Sequence, residues 1–349
     1  MRKLLTVIFS VMLTGSLLFS NVSAGMSSAE TESGREITIL CRNINTYGGV
    51  TAVGDCILIQ DNGINILCDS GKTNEVASLT TNYDPVIEME KEYLRAAGVD
   101  RLDYVFCTHP HEDHITALIE MIKEFTVTKA VIMHECDWGR VHPSEVNAER
   151  LFFELKNVVE RQISEDGTPM KITEPIDGPD SRIYLSDDSY MEFYLIPTAE
   201  QNPNEELNHT STTMYYVYKD FKALITGDSD YRVVPHLING NVGHIQVYKA
   251  QHHSANYNVG TTYSSQALLD LITPDLCVIT AHRTDVDWWA DNMGENSNMQ
   301  RLIRNNITSY STGRNGHIVV TSNGSATGFT LTCSIKDDPI YQGAWRNGK

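Results

Sequence analysis

The chain has 349 residues, with 27 Lys and Arg against 45 Asp and Glu, and a formal net charge of −18. An acidic surface with no run of Lys or Arg disfavours long-range attraction to nucleic acid. Residues 1–24 read as a secretory signal. Arg2 and Lys3 precede the mostly apolar Leu4 to Phe19, and Val22-Ser-Ala24 is a small-residue cleavage site. That apolar run is short and interrupted by Ser, Thr and Gly, so it does not read as a spanning helix. A secreted protein cleaved after Ala24 is expected, with no stable membrane insertion afterwards; a retained N-terminal anchor is the alternative. Losing Arg2 and Lys3 takes the formal charge from −18 to −20.

Gly25 to Gly34 is polar, and residues 25–35 are expected to be a flexible N-terminal segment ahead of one domain over 36–349. Short apolar runs predict strands at Glu36–Cys41, Asp55–Gln60, Ile64–Cys68, Leu102–Cys107 and Ala130–Met133. Asp61-Asn62-Gly63 marks a hairpin turn between the second and third. Helical periodicity covers Pro85–Ala97, His114–Phe125 and Ala148–Ile163. Gly167–Asp188, rich in Pro, Asp, Gly and Ser, reads as a surface excursion. Strands follow at Met191–Ile196, Thr212–Tyr218, Phe221–Ile225, His244–Lys249, Leu276–Thr280, His317–Val320 and Phe329–Cys333, with helices at Ser264–Leu271 and Ser297–Asn305. Hairpins followed by strand–helix alternation, occurring twice, suit two mixed sheets packed face to face with helices on both outer faces. Seven cysteines include no CxxC pair, and most lie in apolar runs, so no disulfide framework is expected.

Chemistry concentrates in His109-Pro110-His111-Glu112-Asp113-His114, which holds three of the twelve histidines in six positions. Imidazole and carboxylate are ligands suited to zinc, manganese and related ions. His109 and His111, at i and i+2, can face one point, while Asp113 and His114 reach a second ion beside it. Asp228 ends the apolar run Ala223-Leu-Ile-Thr-Gly-Asp228, where Gly227 allows close approach and the carboxylate can bridge two cations. His252-His253 follows the strand His244–Lys249. Side chains alternate along a strand, so only one of the pair is expected to be a ligand. His253 is favoured, with His252 as a supporting donor or substrate contact. Either His209 or Asn208 could complete the first ion's ligands. Asp69, in Cys68-Asp-Ser-Gly71, suits holding a ligating imidazole by its second nitrogen. His282, Trp288 and Trp289 are candidates for a substrate wall, the tryptophans offering a face to a cation.

Together, His109-x-His111-x-Asp113-His114, Asp69-Ser-Gly71, Gly227-Asp228 and His252-His253 resemble the metallo-β-lactamase superfamily over nearly the whole mature chain. Within it, Gly54-Asp55-Cys-Ile-Leu-Ile-Gln60, Leu67-Cys-Asp-Ser-Gly71 and Asn208-His-Thr-Ser211 look like the exported hydrolase domain of ComEC-type competence proteins. The doubled His, the late Trp-containing loop and the end from Gly316 to Trp345 are also similar to the catalytic module of the secreted phosphorylcholine esterase. The resemblance implies an α/β protein, an αββα sandwich with a two-metal site at one edge of the sheets.

It further implies a hydrolase acting through a metal-bridged hydroxide on two divalent ions, zinc first and manganese second. His109 and His111, with His209 or water, would hold one ion. Asp113, His114 and His253 would hold the other, and Asp228 would bridge. A phosphodiester substrate, small or choline-bearing, is expected over duplex DNA because of the charge. A ComEC-like nuclease, a hydrolase of carboxylic esters, lactones or lactams, and a metal-binding surface protein without activity are the other readings.

Overall fold

The structure is a computed structural model that describes residues 37–41, 54–71, 85–139, 141–197, 207–255, 263–281, 297–335 and 339–343. The signal and the N-terminal segment expected at 1–24 and 25–35 lie outside these residues, as do His282, Trp288 and Trp289.

Fifteen strands among the described residues form two sheets. The first contains β1 (Ile37–Cys41), β2 (Cys56–Asp61), β3 (Ile64–Ser70), β4 (Leu102–Phe106), β5 (Val127–Ile132), β6 (Ile172–Thr173), β14 (Ile318–Ser322) and β15 (Phe329–Cys333). Its order is β15-β14-β1-β2-β3-β4-β5-β6. The second contains β7 (Gly178–Ser186), β8 (Ser189–Tyr194), β9 (Thr213–Tyr218), β10 (Phe221–Ile225), β11 (Val247–Lys249), β12 (Leu276–Ile279) and β13 (Thr308–Ser311), in the order β13-β12-β11-β10-β9-β8-β7. Each sheet is parallel where helices intervene, from β3 to β6 and from β10 to β13, and antiparallel elsewhere, including the β1–β14 pair. The β2–β3 hairpin turns where expected, with Asn62 and Gly63 both at positive φ (53° and 80°), the requirement of a type I′ turn.

Strand alternation sends side chains to two cores. Ile66, Cys68 and Phe106 of the first sheet meet Phe193, Tyr216, Ala223 and Val278 of the second in a shared layer. From the outer face of the first sheet, Leu58, Leu67 and Val105 pack under α1 (Pro85–Ala96), α2 (Glu112–Glu124) and α3 (Val146–Val159). Tyr215, Leu224 and Cys277 do the same beneath α4 (Val234–Asn239), α5 (Gln266–Ile272) and α6 (Asn298–Arg304). Strands apolar on both sides give the near-continuous runs seen in the sequence, and each fully buried Leu, Ile or Val contributes about 1.5–3 kcal/mol. The αββα layering expected from element order is the one found.

Two details depart from expectation. Gly167–Asp188 is not simply a surface excursion: it supplies β6 and β7, one edge strand of each sheet. Being edge strands, they are only partly covered, so their polar composition gives no apolar signal. The short strand β13 and helix α4 also went unread. The six cysteines with described side chains are free, and Cys56, Cys68, Cys107 and Cys277 are buried.

Candidate metal centre

The chain turns from strand to loop at one edge of both sheets, and there the polar residues gather. Asp69 is the penultimate residue of β3, Thr108 and His109 follow β4, Asp228 follows β10, His252 and His253 follow β11, and Thr280 follows β12. These are carboxyl ends of mostly parallel strands, where open α/β sheets place their ligand sites. Close approach depends on two glycines. A Cβ on Gly54 (φ 129°) would lie 1.7 Å from the Asp113 carbonyl oxygen, and one on Gly227 (φ 50°) would lie 2.5 Å from the Thr108 side chain.

Ligand atoms of Asp113, His114, Asp228 and His253 all lie within 4.8 Å of one another. His114 Nε2 is 3.3 Å and His253 Nε2 3.4 Å from Asp228 Oδ1. Asp113 Oδ2 is 3.4 Å from His253 Nε2. His109 Nε2 approaches from the other side, 3.8 Å from Asp228 Oδ2. All except Asp113 are buried.

The three imidazoles are held alike. His253 Nδ1 lies 2.9 Å from the Thr280 carbonyl, which can only accept, so Nδ1 carries the proton. The Asp69 carboxylate accepts from His114 Nδ1 at 2.8 Å. Thr108 Oγ1 donates to Asp69 Oδ2 at 2.7 Å and is left to accept from His109 Nδ1 at 3.1 Å. In the neutral ring each Nε2 therefore presents a lone pair inward. The Nε2 atoms of His109, His114 and His253, with Asp228 Oδ1, are buried and hydrogen-bond to nothing among the described residues. Bare imidazole nitrogens around carboxylate oxygens form a donor set that suits a divalent ion.

Electrostatics agree. Burial alone would lower the pKa of His114 and His253, yet both stand above the ordinary value. The Asp228, Asp113 and Asp69 carboxylates lift His114, and chiefly Asp228 lifts His253 to about 9. Burial raises Asp113 and Asp228, but facing imidazoles outweigh it and hold both carboxyls low. His109 is pushed well down by burial and by its His114 and His111 neighbours. The site is built to hold positive charge among fixed anions.

Other expected residues fall as follows. His111 stands beside His109, ring centroids 4.7 Å apart, but its Nε2 lies 3.2 Å from Glu145 Oε2. His252 and His253 do not alternate along a strand. They sit in the 3₁₀ turn Gln251–Ser254 with left-handed backbones (φ 47° and 53°), and both rings reach Asp228, His252 Nε2 at 3.6 Å from Oδ2. Asn208 Nδ2 is 3.4 Å from His252 Nε2 and from Tyr263 Oη. His209 is buried in the same Leu207–Thr210 turn, outside the group of four.

Several residues were not singled out in the sequence. Thr108, Thr280 and Glu145 orient imidazoles. Lys249 is fully buried, its Nζ 2.6 Å from Asp55 Oδ2 and 2.9 Å from the Gly227 carbonyl. Asp55, Asp69 and His114 also gather within 4.8 Å, but there Lys249 already supplies a cation. A charged residue at the end of an apolar strand, closing β11 at Lys249 and just ahead of β2 at Asp55, was the available signal.

The family model of the metallo-beta-lactamase superfamily matches residues 50–262, more than half of the chain. No curated protein matches the sequence significantly. Among solved structures, the metallo-beta-lactamase fold protein YhfI from Bacillus subtilis aligns at 14% identity over 82% of this chain and 100% of that one, with a TM-score of 0.46. A diphosphatase from the PhnP family aligns at 14% identity over 70% and 85%, TM-score 0.38. A Cronobacter sakazakii metallo-beta-lactamase with a HARLDQ motif aligns at 16% over 50% and 56%, TM-score 0.30. Likeness at this level adds nothing about substrate. The matched region spans β2 through the His252-His253 turn, and on it the chain belongs to the metallo-beta-lactamase superfamily.

Proposed function

We propose that this metal-dependent hydrolase acts on phosphodiesters, and on small ones rather than duplex DNA. The observation that carries the reading is the set of inward-facing, unbonded Nε2 atoms of His109, His114 and His253 around Asp228. His109, Asp113, His114, Asp228 and His253 would hold divalent ions. When bound, such ions lower the pKa of water toward neutrality, polarise the scissile centre and stabilise a leaving oxygen. The chain's own part is to fix the imidazoles through Thr108, Asp69 and Thr280 and to keep Asp113 and Asp228 ionised.

The phosphodiester preference rests on charge. With a formal charge of −18 and no basic run, the protein lacks the Lys and Arg that track a duplex backbone. An ion pair in the centre can still anchor one phosphate. The finer likeness to the ComEC-type hydrolase domain and the phosphorylcholine esterase rests on sequence motifs, and it favours the same bond. Export, two ions, and zinc before manganese are parts of the same proposal.

Turnover of p-nitrophenyl phosphorylcholine, bis-p-nitrophenyl phosphate, plasmid DNA and a chromogenic lactam, run side by side on metal-loaded protein, tests it. Turnover of the small phosphodiesters, lost in His109→Ala and Asp113→Ala, is expected. DNA cleavage at physiological salt without turnover of either small ester would establish the nuclease reading instead. Lactam turnover alone would refute phosphoester chemistry. Metal analysis finding less than about half an equivalent in protein prepared with zinc or manganese would end the metal reading.

A further inference from the structure

Lys249 has no place in the chemistry above, yet among the described residues its ammonium lies beside it. Its ammonium is fully buried at the end of β11. On one side it meets Asp55 Oδ2 at 2.6 Å. On the other it donates to the Gly227 carbonyl at 2.9 Å, and Asp228 Oδ1 lies 3.8 Å away. Asp55 comes from the first sheet and Gly227 from the second, so one side chain ties the two sheet edges together directly beneath the candidate ligands.

Asp55 passes this anchoring on. Its Oδ1 accepts from Thr280 Oγ1 and lies 3.3 Å from His253 Nδ1. Thr280 meets the same Nδ1 through its carbonyl at 2.9 Å and through Oγ1 at 3.1 Å. The second oxygen of Asp55 is 3.9 Å from His114 Nδ1, and its backbone N–H donates to the Asp113 carbonyl at 3.2 Å. Gly227 O also accepts from the His252 backbone N–H at 3.1 Å. Lys249 thus touches, at one remove, His253, His114, Asp113 and the backbone that carries Asp228 and His252.

A buried ion pair is a poor way to stabilise a fold, since apolar residues of similar shape often do as well or better. One that lies under a donor set and contacts its supports has another use. We propose that Lys249 is a positioning residue of the metal centre: its ammonium, clamped between Asp55 and the Gly227 carbonyl, holds His253 and Asp228 in register across the two sheets. This rests on the metal-centre reading, and the tests below separate the two.

Lys249→Met, Asp55→Asn and the double variant would be compared with the unchanged chain in three measurements. These are thermal unfolding of the metal-free protein, zinc affinity by competition with a chromophoric chelator, and the d–d absorption of the cobalt-loaded protein. Each single variant leaves one charge buried and uncompensated, so it should unfold earlier, bind zinc about tenfold or more weakly, and show an altered cobalt spectrum. The double variant removes both charges. It should regain most of the lost thermal stability while zinc affinity and the cobalt spectrum stay perturbed, which a merely structural pair would not do. Recovery of native affinity and spectrum in the double variant would overturn the proposal, as would native values in Lys249→Met. Thr280→Val, uncharged and close in shape, reaches Asp55 and His253 from the opposite side and is expected to weaken zinc binding in the same direction. Should the Lys249 variants fail to fold, native affinity in Thr280→Val overturns the proposal. An unchanged chain that binds no zinc or cobalt would instead sink the metal-centre reading, and the positioning role with it.

Discussion

Asp69 is the support whose removal can be worked out most directly. Its Oδ1 accepts from the Thr108 backbone N–H at 2.8 Å, and its Oδ2 accepts from Thr108 Oγ1 at 2.7 Å and from His114 Nδ1 at 2.8 Å. Asn at this position keeps the shape but removes the charge and turns one acceptor into a donor. One amide oxygen cannot serve both sides, so either the Thr108 N–H or the His114 Nδ1–H and Thr108 Oγ1–H face a nitrogen. A hydrogen bond to a charged group contributes about 1.5–3 kcal/mol. Burial already lifts the Asp69 carboxyl above its ordinary pKa against the pull of His114, so part of the loss is returned when the charge goes. The metal-free fold should therefore weaken by only about 1–2 kcal/mol. Zinc affinity should fall further, by about 10- to 100-fold, because both His114 and His109 (the latter through Thr108) lose their fixed tautomer. Chelator competition and thermal unfolding of the metal-free protein read the two effects separately. Zinc affinity in Asp69→Asn within about threefold of the unchanged chain would refute the argument that these bonds aim the Nε2 atoms.

Four further outcomes are expected. Metal uptake at pH 7 should release protons, because His114 and His253 are raised above their ordinary value, His253 to about 9; calorimetry in two buffers of different ionisation enthalpy measures this, and buffer-independent heats would count against it. By linkage, the raised His253 contributes to metal-free stability fully below about pH 6.5, and that contribution is lost as pH rises through about 9, so unfolding midpoints of the metal-free protein should fall across that window. Ser254 (φ 67°) follows two other left-handed residues, and its buried Oγ has no partner among the described residues, so Ser254→Gly should stabilise the protein by up to about 1 kcal/mol; a lowered unfolding midpoint would contradict this. Export with cleavage after Ala24 predicts that intact mass of protein from culture medium begins at Gly25, whereas a membrane-bound product retaining Met1 would support an anchor.

How much of this was legible in the sequence depends on range. The His109–His114 cluster is local: six residues carry their chemistry wherever the fold puts them. The β2–β3 hairpin is legible for the same reason, since Asp61-Asn62-Gly63 specifies its own turn. Strands buried on both faces announce themselves by composition, whereas β7 at a sheet edge alternates toward solvent and reads as loop. The His252-His253 turn misleads because alternation assumes an extended backbone, and nothing in two adjacent histidines signals a left-handed one. Contacts across the fold, such as Glu145 on His111 and Lys249 on Asp55, are set by which strand ends meet, and that information is spread over the whole chain.

The buried carboxylates show why supports and ligands can be told apart once the fold is known. Taking a carboxylate out of water costs several kcal/mol unless donors or cations replace the lost hydration. Asp69 has three donors, and Asp55 has the Lys249 ammonium and the Thr280 hydroxyl. Both are compensated within the chain and have no need of a further cation. Asp228 differs. Its backbone N–H reaches Ser211 Oγ at 3.2 Å, but its Oδ1 faces the Nε2 atoms of His114 and His253, whose protons are committed at Nδ1 to Asp69 and Thr280. Its charge can be offset by extra protons on those rings, as their raised pKa values indicate, or by a divalent ion held between them. The same carboxylate that makes the ion-free protein basic at two histidines is the one placed to hold a metal, so proton and metal compete for one position.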